Sequence, residues 1–360
     1  MKMRNCLLGD IITFQRGYDL PKTQMRVGKI PVVGSNGIIG YHDTATTSAP
    51  CITIGRSGNV GTPKILYEKA WAHNTTLYIK EFKNVDPIFV FYLLKTLNLN
   101  EYAGGSAVPT LNRNHIHSLP ICIPTDIKAQ KQIAQCLYLI DSKIDHNTQI
   151  NQNLEAQAQA IFKSWFVDFE PFQDGKFVDS ELGLIPDRWQ IGTLKEILDI
   201  RYGKDHKKLE DGIIPVYGSG GLMRYVNTAL YSGESVLIPR KGTLNNVMRV
   251  TGDFWTVDTM FYSIPKRNGD AKFAFHILKN MDLASMNSGS AVPSMTTDIL
   301  NSIVIAIPPQ QVLDSFDKIT GSLWQLYEAN NMINNSLITL RDSLLPKLMS
   351  GEIDVSEVEL

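Results

Sequence analysis

The chain has little of what usually betrays a function. No apolar run reaches the length needed to cross a bilayer, and the opening MKMRNCLLGDIITF lacks the ordered charged, apolar and small-residue segments of a signal peptide. A cytoplasmic location is therefore expected. Four cysteines (Cys6, Cys51, Cys122, Cys136) show no CxxC spacing, which predicts reduced thiols and neither a disulfide framework nor a zinc knuckle. Charge of one sign is missing too: 35 Lys and Arg stand against 36 Asp and Glu, a net −1. Nucleic-acid binders often carry a basic excess, so the total argues mildly against that class and leaves room for a local basic face. GSNG at 34–37 and GSGG at 218–221 lack the Gly-Lys-Ser/Thr ending of a P-loop and the spacing of a dinucleotide fingerprint, and read as tight turns. No Asn-Pro-Pro-aromatic tetrapeptide of the amino-methyltransferase sort is present, and no paired acids suit a metal-dependent nuclease. His115 and His117 form an HxH pair without a third ligand in view. The expectation is a chain that is not an enzyme, with no metal and no cofactor of its own.

What is present is a repeat. GSAVP begins at 105 and again at 289, an offset of 184. At the same offset IPVVGSNGIIGYHDTA from Ile30 meets IPVYGSGGLMRYVNTA from Ile214, and ITIGRSG ending at Gly58 meets VLIPRKG ending at Gly242. Trp71 falls on Trp255, Thr75 on Thr259, and ICIP ending at Pro124 on IAIP ending at Pro308. About a third of these positions are identical without a gap, far above chance at so long a period. Upstream the offset becomes 186, with Gly17 on Gly203 and Ile11 on Ile197. The chain is two copies of one unit. In each, short β-rich runs (CITI, SVLI) bounded by Gly, Ser and Pro precede a helical stretch, around Pro87–Leu97 and Lys272–Lys279.

After each copy the pattern becomes heptad. Ile133, Leu137, Ile140, Ile144, Asn147, Asn151, Leu154, Ala158, Ile161 and Trp165 are spaced four, three, four, three. So are Phe316, Thr320, Leu323, Tyr327, Asn330, Asn334, Leu337, Arg341, Leu344 and Leu348. Each run predicts a long amphipathic helix, on the order of 60 Å at about 40 residues. Such a helix needs a long partner, and each is the other's mate. Buried Asn at a seam costs stability and fixes register. Antiparallel pairing with Asn147 facing Asn334 sets Asn151 against Asn330, Ile144 against Leu337, Leu154 against Tyr327 and Trp165 against Phe316. Only Ile140 against Arg341 matches poorly. A parallel pairing also aligns the Asn residues; two copies related by a twofold axis across the helices favour the antiparallel one. The alternative is solvent-facing Asn on helices buried elsewhere.

The expected fold is α/β (α+β): duplicated, pseudo-twofold symmetric recognition domains joined by a long antiparallel two-helix coiled coil. The expected boundaries are a first recognition domain over 1–124, a spacer helix over 125–168, a linker over 169–190, a second recognition domain over 191–308, a second spacer helix over 309–350 and a tail over 351–360. Two similar units on a rod have the shape of a bipartite reader, and DNA half-sites lie a fixed number of turns apart.

Several strings resemble the specificity subunits of Type I restriction-modification systems: FKSWFVDFEPF, then SELGLIPDRWQIGTLKEIL, LLPKLMSGEI near the C-terminus, and the strand starts at Gly9–Ile11 and Lys195–Ile197. WFVDF and LGxIPxxW are the specific signals; heptads alone are not. The likeness covers essentially the whole chain, which lies at the short end for that family and reads as complete, with both units and both helices. It implies an asymmetric, interrupted double-stranded DNA target. It also implies two methyltransferase subunits and restriction subunits as partners, with S-adenosylmethionine, ATP and Mg carried by those partners, and no membrane. The rival is a tandem-repeat scaffold that binds only proteins, without DNA specificity.

Candidate DNA contacts follow the repeat. Arg56, Ser57 and Asn59 in IGRSGNVG match Arg240, Lys241 and the loop to Asn245 in IPRKGTLN. Glycine lets backbone N–H groups approach phosphate, and arginine grips phosphate or guanine edges through its fork; the alternative is a hairpin with a surface arginine. Ser106 with Thr110, Asn112 and Arg113, and Ser290 with Ser294 and Thr296, follow the two GSAVP turns, whose Pro109 and Pro293 stiffen the chain. Shared residues would position the duplex and unshared ones specify bases. The copies differ where Arg113 meets Thr297, His115 meets Ile299, Lys64 meets Met248 and Ile65 meets Arg249. Either these set different bases for the two units, or they are loop drift. Lys204, with Lys207 and Lys208, forms a basic run peculiar to the second copy, either a solvated face or a phosphate contact.

Overall fold

The structure is a computed structural model and describes residues 1–104, 109–286 and 294–355. Packing divides the chain into two compact units, Met1–Gln149 with Asn330–Leu360, and Ile150–Ala329. The division falls inside both long helices, Ile127–Phe166 and Gln310–Ser350. Cutting the sequence where it changes periodicity separates helices from recognition domains, whereas side-chain packing gives each recognition domain half of each helix.

In the first unit an antiparallel sheet orders Ile12–Arg16, Thr76–Phe82, Cys51–Gly55 and Pro63–Leu66. A second sheet pairs Ile30–Gly34 with Gly37–His42 and, in parallel, with Trp71–Ala72. Met3–Leu7 pairs with Pro120–Pro124. The second unit repeats this order: Leu198–Tyr202, Met260–Pro265, Ser235–Pro239 and Met248–Val250 in one sheet. Ile214–Gly218 pairs with Gly221–Val226 and, in parallel, with Asp253–Thr256. The parallel contacts match residue for residue, Val32 with Trp71 and Val216 with Trp255, and both hairpins bulge at the same place. The repeat read from the sequence is thus a repeat of fold.

The helices after these strands begin where local chemistry dictates. Asp86 Oδ1 accepts from Phe89 N at 2.9 Å and Pro87 takes the first helical position, so Pro87–Lys95 starts with an N-cap and a residue that needs no amide partner. The second copy's helix is Asp270–Asn280. In the first unit Phe89, Val90 and Leu93 pack with Ile133 and Leu137 of the first long helix and with Leu344, Leu348 and Met349 of the second. In the second unit Ala158, Phe162 and Phe166 pack with Leu313, Phe316 and Trp324.

Within each unit the two helices run antiparallel. In the first, Asn147 Nδ2 donates to Asn334 Oδ1 at 2.8 Å and Arg341 reaches Asp141 at 2.8 Å. In the second, Asn151 Nδ2 donates to the Tyr327 carbonyl at 3.1 Å, and the Trp165 and Phe316 rings lie 6.1 Å apart. All four seam asparagines are buried. The register read from the sequence holds at Asn147 with Asn334 and at Trp165 with Phe316. Leu154 is buried, while Ile144, Leu337 and Tyr327 are partly so. The poor match at Arg341 is resolved one residue away, because the guanidinium turns from Ile140 to the Asp141 carboxylate.

The segment between the first helix and the second copy is built rather than slack. Phe166, Phe169 and Phe172 surround Trp189 with ring centroids at 5.7, 5.2 and 5.7 Å. A hairpin pairs Phe177–Ser180 with Gly183–Pro186, and Gly183 takes φ +90° at its turn. WFVDF and LGxIPxxW therefore meet around one buried tryptophan.

Candidate nucleic-acid interface

The two arginine loops are fixed by the same backbone bonds. Arg56 N and Ser57 N both donate to the Thr75 carbonyl, at 2.8 and 3.3 Å; Arg240 N and Lys241 N both donate to the Thr259 carbonyl, at 2.8 and 3.3 Å. The loops are closed from the far side by Leu111 N to Arg56 O at 2.8 Å and Met295 N to Arg240 O at 2.9 Å. Ser57 bridges Thr110, and Lys241 bridges Ser294. Gly58 and Gly242 take φ +82° and +84°, and a Cβ there would press on Ser35 Oγ at 3.1 Å and Ser219 Oγ at 2.7 Å. The glycine turns at 34–37 and 218–221 thus abut the arginine loops, which explains why glycine recurs at both places.

Side chains differ on this shared frame. In the first unit Arg16, Arg56, Thr110, Asn112, Arg113 and His115 surround a depression of about 550 Å³ floored by Leu77. The sheet explains the gathering. Arg16 pairs across to Leu77, whose other neighbour is Ile54, so Arg16 and Arg56 flank one end of the central strand. Asn112 caps the short helix Arg113–His117 by accepting from Asn114 N at 2.9 Å, which sets Arg113 and His115 at the rim. No carboxylate lines this depression among the described residues. Lys64 lies apart, beside the Gly37 turn, where burial lowers its ammonium pKa below the ordinary lysine value. Asn59 accepts from Thr62 Oγ1 at 2.9 Å and stays exposed.

In the second unit the Arg16 position is Tyr202. Tyr202 pairs with Phe261, its ring edge-on at 5.0 Å, and the Arg240 guanidinium lies 5.3 Å from the Tyr202 ring centroid. Arg240 also donates to the Asp258 carbonyl at 3.2 Å. Thr296 caps Thr297–Asn301 as Asn112 caps its counterpart. Lys204, Lys207, Lys208 and Lys241 are exposed or partly so, and Ser294 is partly exposed.

Two sequence expectations change, at Arg249 and Asn245. Arg249 is no surface contact: its side chain is 4% exposed, ion-paired to Glu234 at 2.6 Å and Glu328 at 2.8 Å, and laid 4.3 Å over Trp324. Its place in a strand facing the long helix turns it inward. Asn245 is exposed but spent on structure, donating to Asp282 at 3.1 Å and accepting from Ala284 N at 3.0 Å. His117 is not free to bind: its Nε2 accepts from Phe14 N at 2.9 Å, and burial, with Arg113 and Lys83 adding, pushes its pKa down. Ser106 and Ser290 lie outside the described residues. Arg16 was not singled out from the sequence because the repeat offset changes just there, and the copies share no residue at that position. The four cysteines are free thiols. Among the described residues no cluster of three metal-ligating side chains occurs, and no helix is long and apolar enough to cross a membrane.

The family model described as Type I restriction modification DNA specificity domain matches residues 2–156 and again 186–336. The MjaIX specificity subunit of a Type I restriction enzyme from Methanocaldococcus jannaschii is 27% identical over 327 residues, covering 80% of this chain and 76% of that one. The HindI specificity subunit from Haemophilus influenzae is 24% identical over 358 residues, covering 74% and 77%. The fold is similar to the crystal structure of a Type I restriction-modification S subunit from M. genitalium, with TM-score 0.61 at 20% identity over 97% of this chain and 96% of that one. With a duplicated α/β frame, paired helices and two matches to one family model, the chain belongs to the Type I restriction-modification specificity subunits, the non-catalytic DNA-specificity components of those systems.

Proposed function

We propose that the chain selects an asymmetric, bipartite double-stranded DNA target, one part read by each unit, for a complex with two methyltransferase subunits and with restriction subunits. S-adenosylmethionine, ATP and Mg belong on those partners in this reading, and the complex works in the cytoplasm. One observation supports the bipartite reading most: an identical backbone frame carries an arginine loop in both units, while the side chains around it differ. An equal frame presents equivalent stretches of duplex to both units, and unequal side chains make the two contacts unequal. The two long helices set the spacer and offer docking faces to the methyltransferases. Deleting one heptad from each helix, at seam positions facing one another, shortens the spacer between the two recognised parts. Mapping methylated adenines in cells that carry the altered chain reads this directly, and an unchanged spacer contradicts the ruler.

A further inference from the structure

We propose that the arginine-lined depression of the first unit is a phosphate clamp that grips the DNA backbone beside the first half-site and carries no base information itself. The inference rests on the DNA-reading function proposed above and assigns it a site in which Arg16 and His115 join Arg56 and Arg113.

Shape and charge both favour phosphate. Base edges lie inside the grooves and are reached by projecting loops or helices, whereas the phosphate ridge is convex and fits a concavity. Here the groups stand around a depression of about 550 Å³. Three guanidiniums and an imidazole supply donors, and among the described residues no carboxylate lines the depression to compete for them. Arg16 and Arg113 are exposed. The nearest acid to Arg16 is Asp19, a loose and exposed pair at 3.9 Å that a phosphate displaces at little cost. In the second unit the same place carries other side chains: Tyr202 replaces Arg16, the Arg240 guanidinium lies 5.3 Å from its ring, and Thr297 and Ile299 replace Arg113 and His115. The second unit carries an exposed basic run of its own at Lys204, Lys207 and Lys208.

The test uses the chain assembled with its methyltransferase subunit and a duplex carrying the target mapped for the unaltered protein. Each phosphate that the protein ceases to neutralise makes the plot of log affinity against log salt shallower by about 0.9. Arg16→Gln with Arg113→Gln should flatten the slope by about twice that amount and leave the methylated sequence unchanged. Arg16→Lys with Arg113→Lys should restore the slope, because a point charge serves a phosphate but not the two-pronged recognition of guanine. Tyr202→Arg with Thr297→Arg should steepen the slope through the second unit. An unchanged slope in the Gln variant overturns the clamp. So does a relaxed or altered first half-site that the Lys variant fails to restore, since the arginines would then read bases. Absence of any chain-dependent methylated sequence with the unaltered protein is a different result, and removes the DNA-reading function itself.

Discussion

Asp141 shows how much one residue carries. Its carboxylate accepts from Arg341 at 2.8 Å and from the Tyr92 hydroxyl at 2.8 Å, with Lys95 Nζ at 3.5 Å. Burial alone raises its pKa; the Arg341 hydrogen bond, Lys95 and Tyr92 outweigh that and hold it below the ordinary carboxylate value. The same carboxylate raises the pKa of the Tyr92 phenol, after burial. A carboxylate whose folded pKa lies below its unfolded value of about 3.9 contributes stability that is complete above that value and is lost as pH falls through the folded one. Arg341→Ala removes a strong partner and leaves Asp141 partly desolvated, a cost of about 1–3 kcal/mol at pH 7. Urea unfolding at pH 7 and pH 3 should show a smaller cost at pH 3, below the unfolded carboxylate value of about 3.9, because part of the stability held by the lowered folded pKa is already lost there. An equal cost at both values would assign the contribution of Arg341 to packing. In the second unit the place of Asp141 is taken by Trp324, against which His276 packs at 5.6 Å. There burial, with Arg249 adding, lowers the His276 pKa to about 3 and keeps the imidazole neutral. One position in the repeat is thus ionic in one copy and aromatic in the other.

At the scale of elements, the long helices owe their register to amides. Asn147 and Asn334 satisfy one another, and Asn334 also reaches the Ile144 carbonyl at 3.4 Å. Asn147→Leu leaves the Asn334 amide buried without its principal partner and should cost about 1–3 kcal/mol. Asn147→Leu with Asn334→Leu restores an apolar seam and should recover most or all of that loss, with a weaker hold on register. Thermal unfolding of the two singles and the double closes the cycle; singles and double that add without coupling would mean the pair does not act as one. The helices, their antiparallel sense and this Asn pair were legible in the sequence, because a heptad seam and a paired polar defect are local, periodic signals. The repeated strands were legible because two copies correct one another. What escaped was decided by tertiary direction. Arg249 reads as a surface residue in a polar loop, yet its strand faces a helix 79 positions downstream in sequence, at Glu328. Arg16 joins Arg56 only because two strands flank Leu77. The hairpin at 177–186 has no counterpart in the first copy, so the repeat gave no warning of it.

At the scale of the whole molecule, the Asp141–Arg341 pair has a consequence for ancestry. Along the long helices the copies align at an offset of 183, from Asn147 to Asn330, so the first-copy equivalent of Arg341 is Ala158. Two copies of residues 1–166 could pair their helices antiparallel about the same asparagines. Each would then present alanine to Asp141 where the intact chain supplies a guanidinium. Phe162, Trp165 and Phe166 would also enter a core now filled by Leu345, Leu348 and Met349, which is overpacking. Sedimentation of the 1–166 fragment should therefore show weak self-association, strengthened by Ala158→Arg; a tight dimer of the unaltered fragment would contradict this. Each half of the chain supplies what the other lacks, Arg341 for Asp141 among them, so a pair of equal halves should fit less well than the two unequal ones.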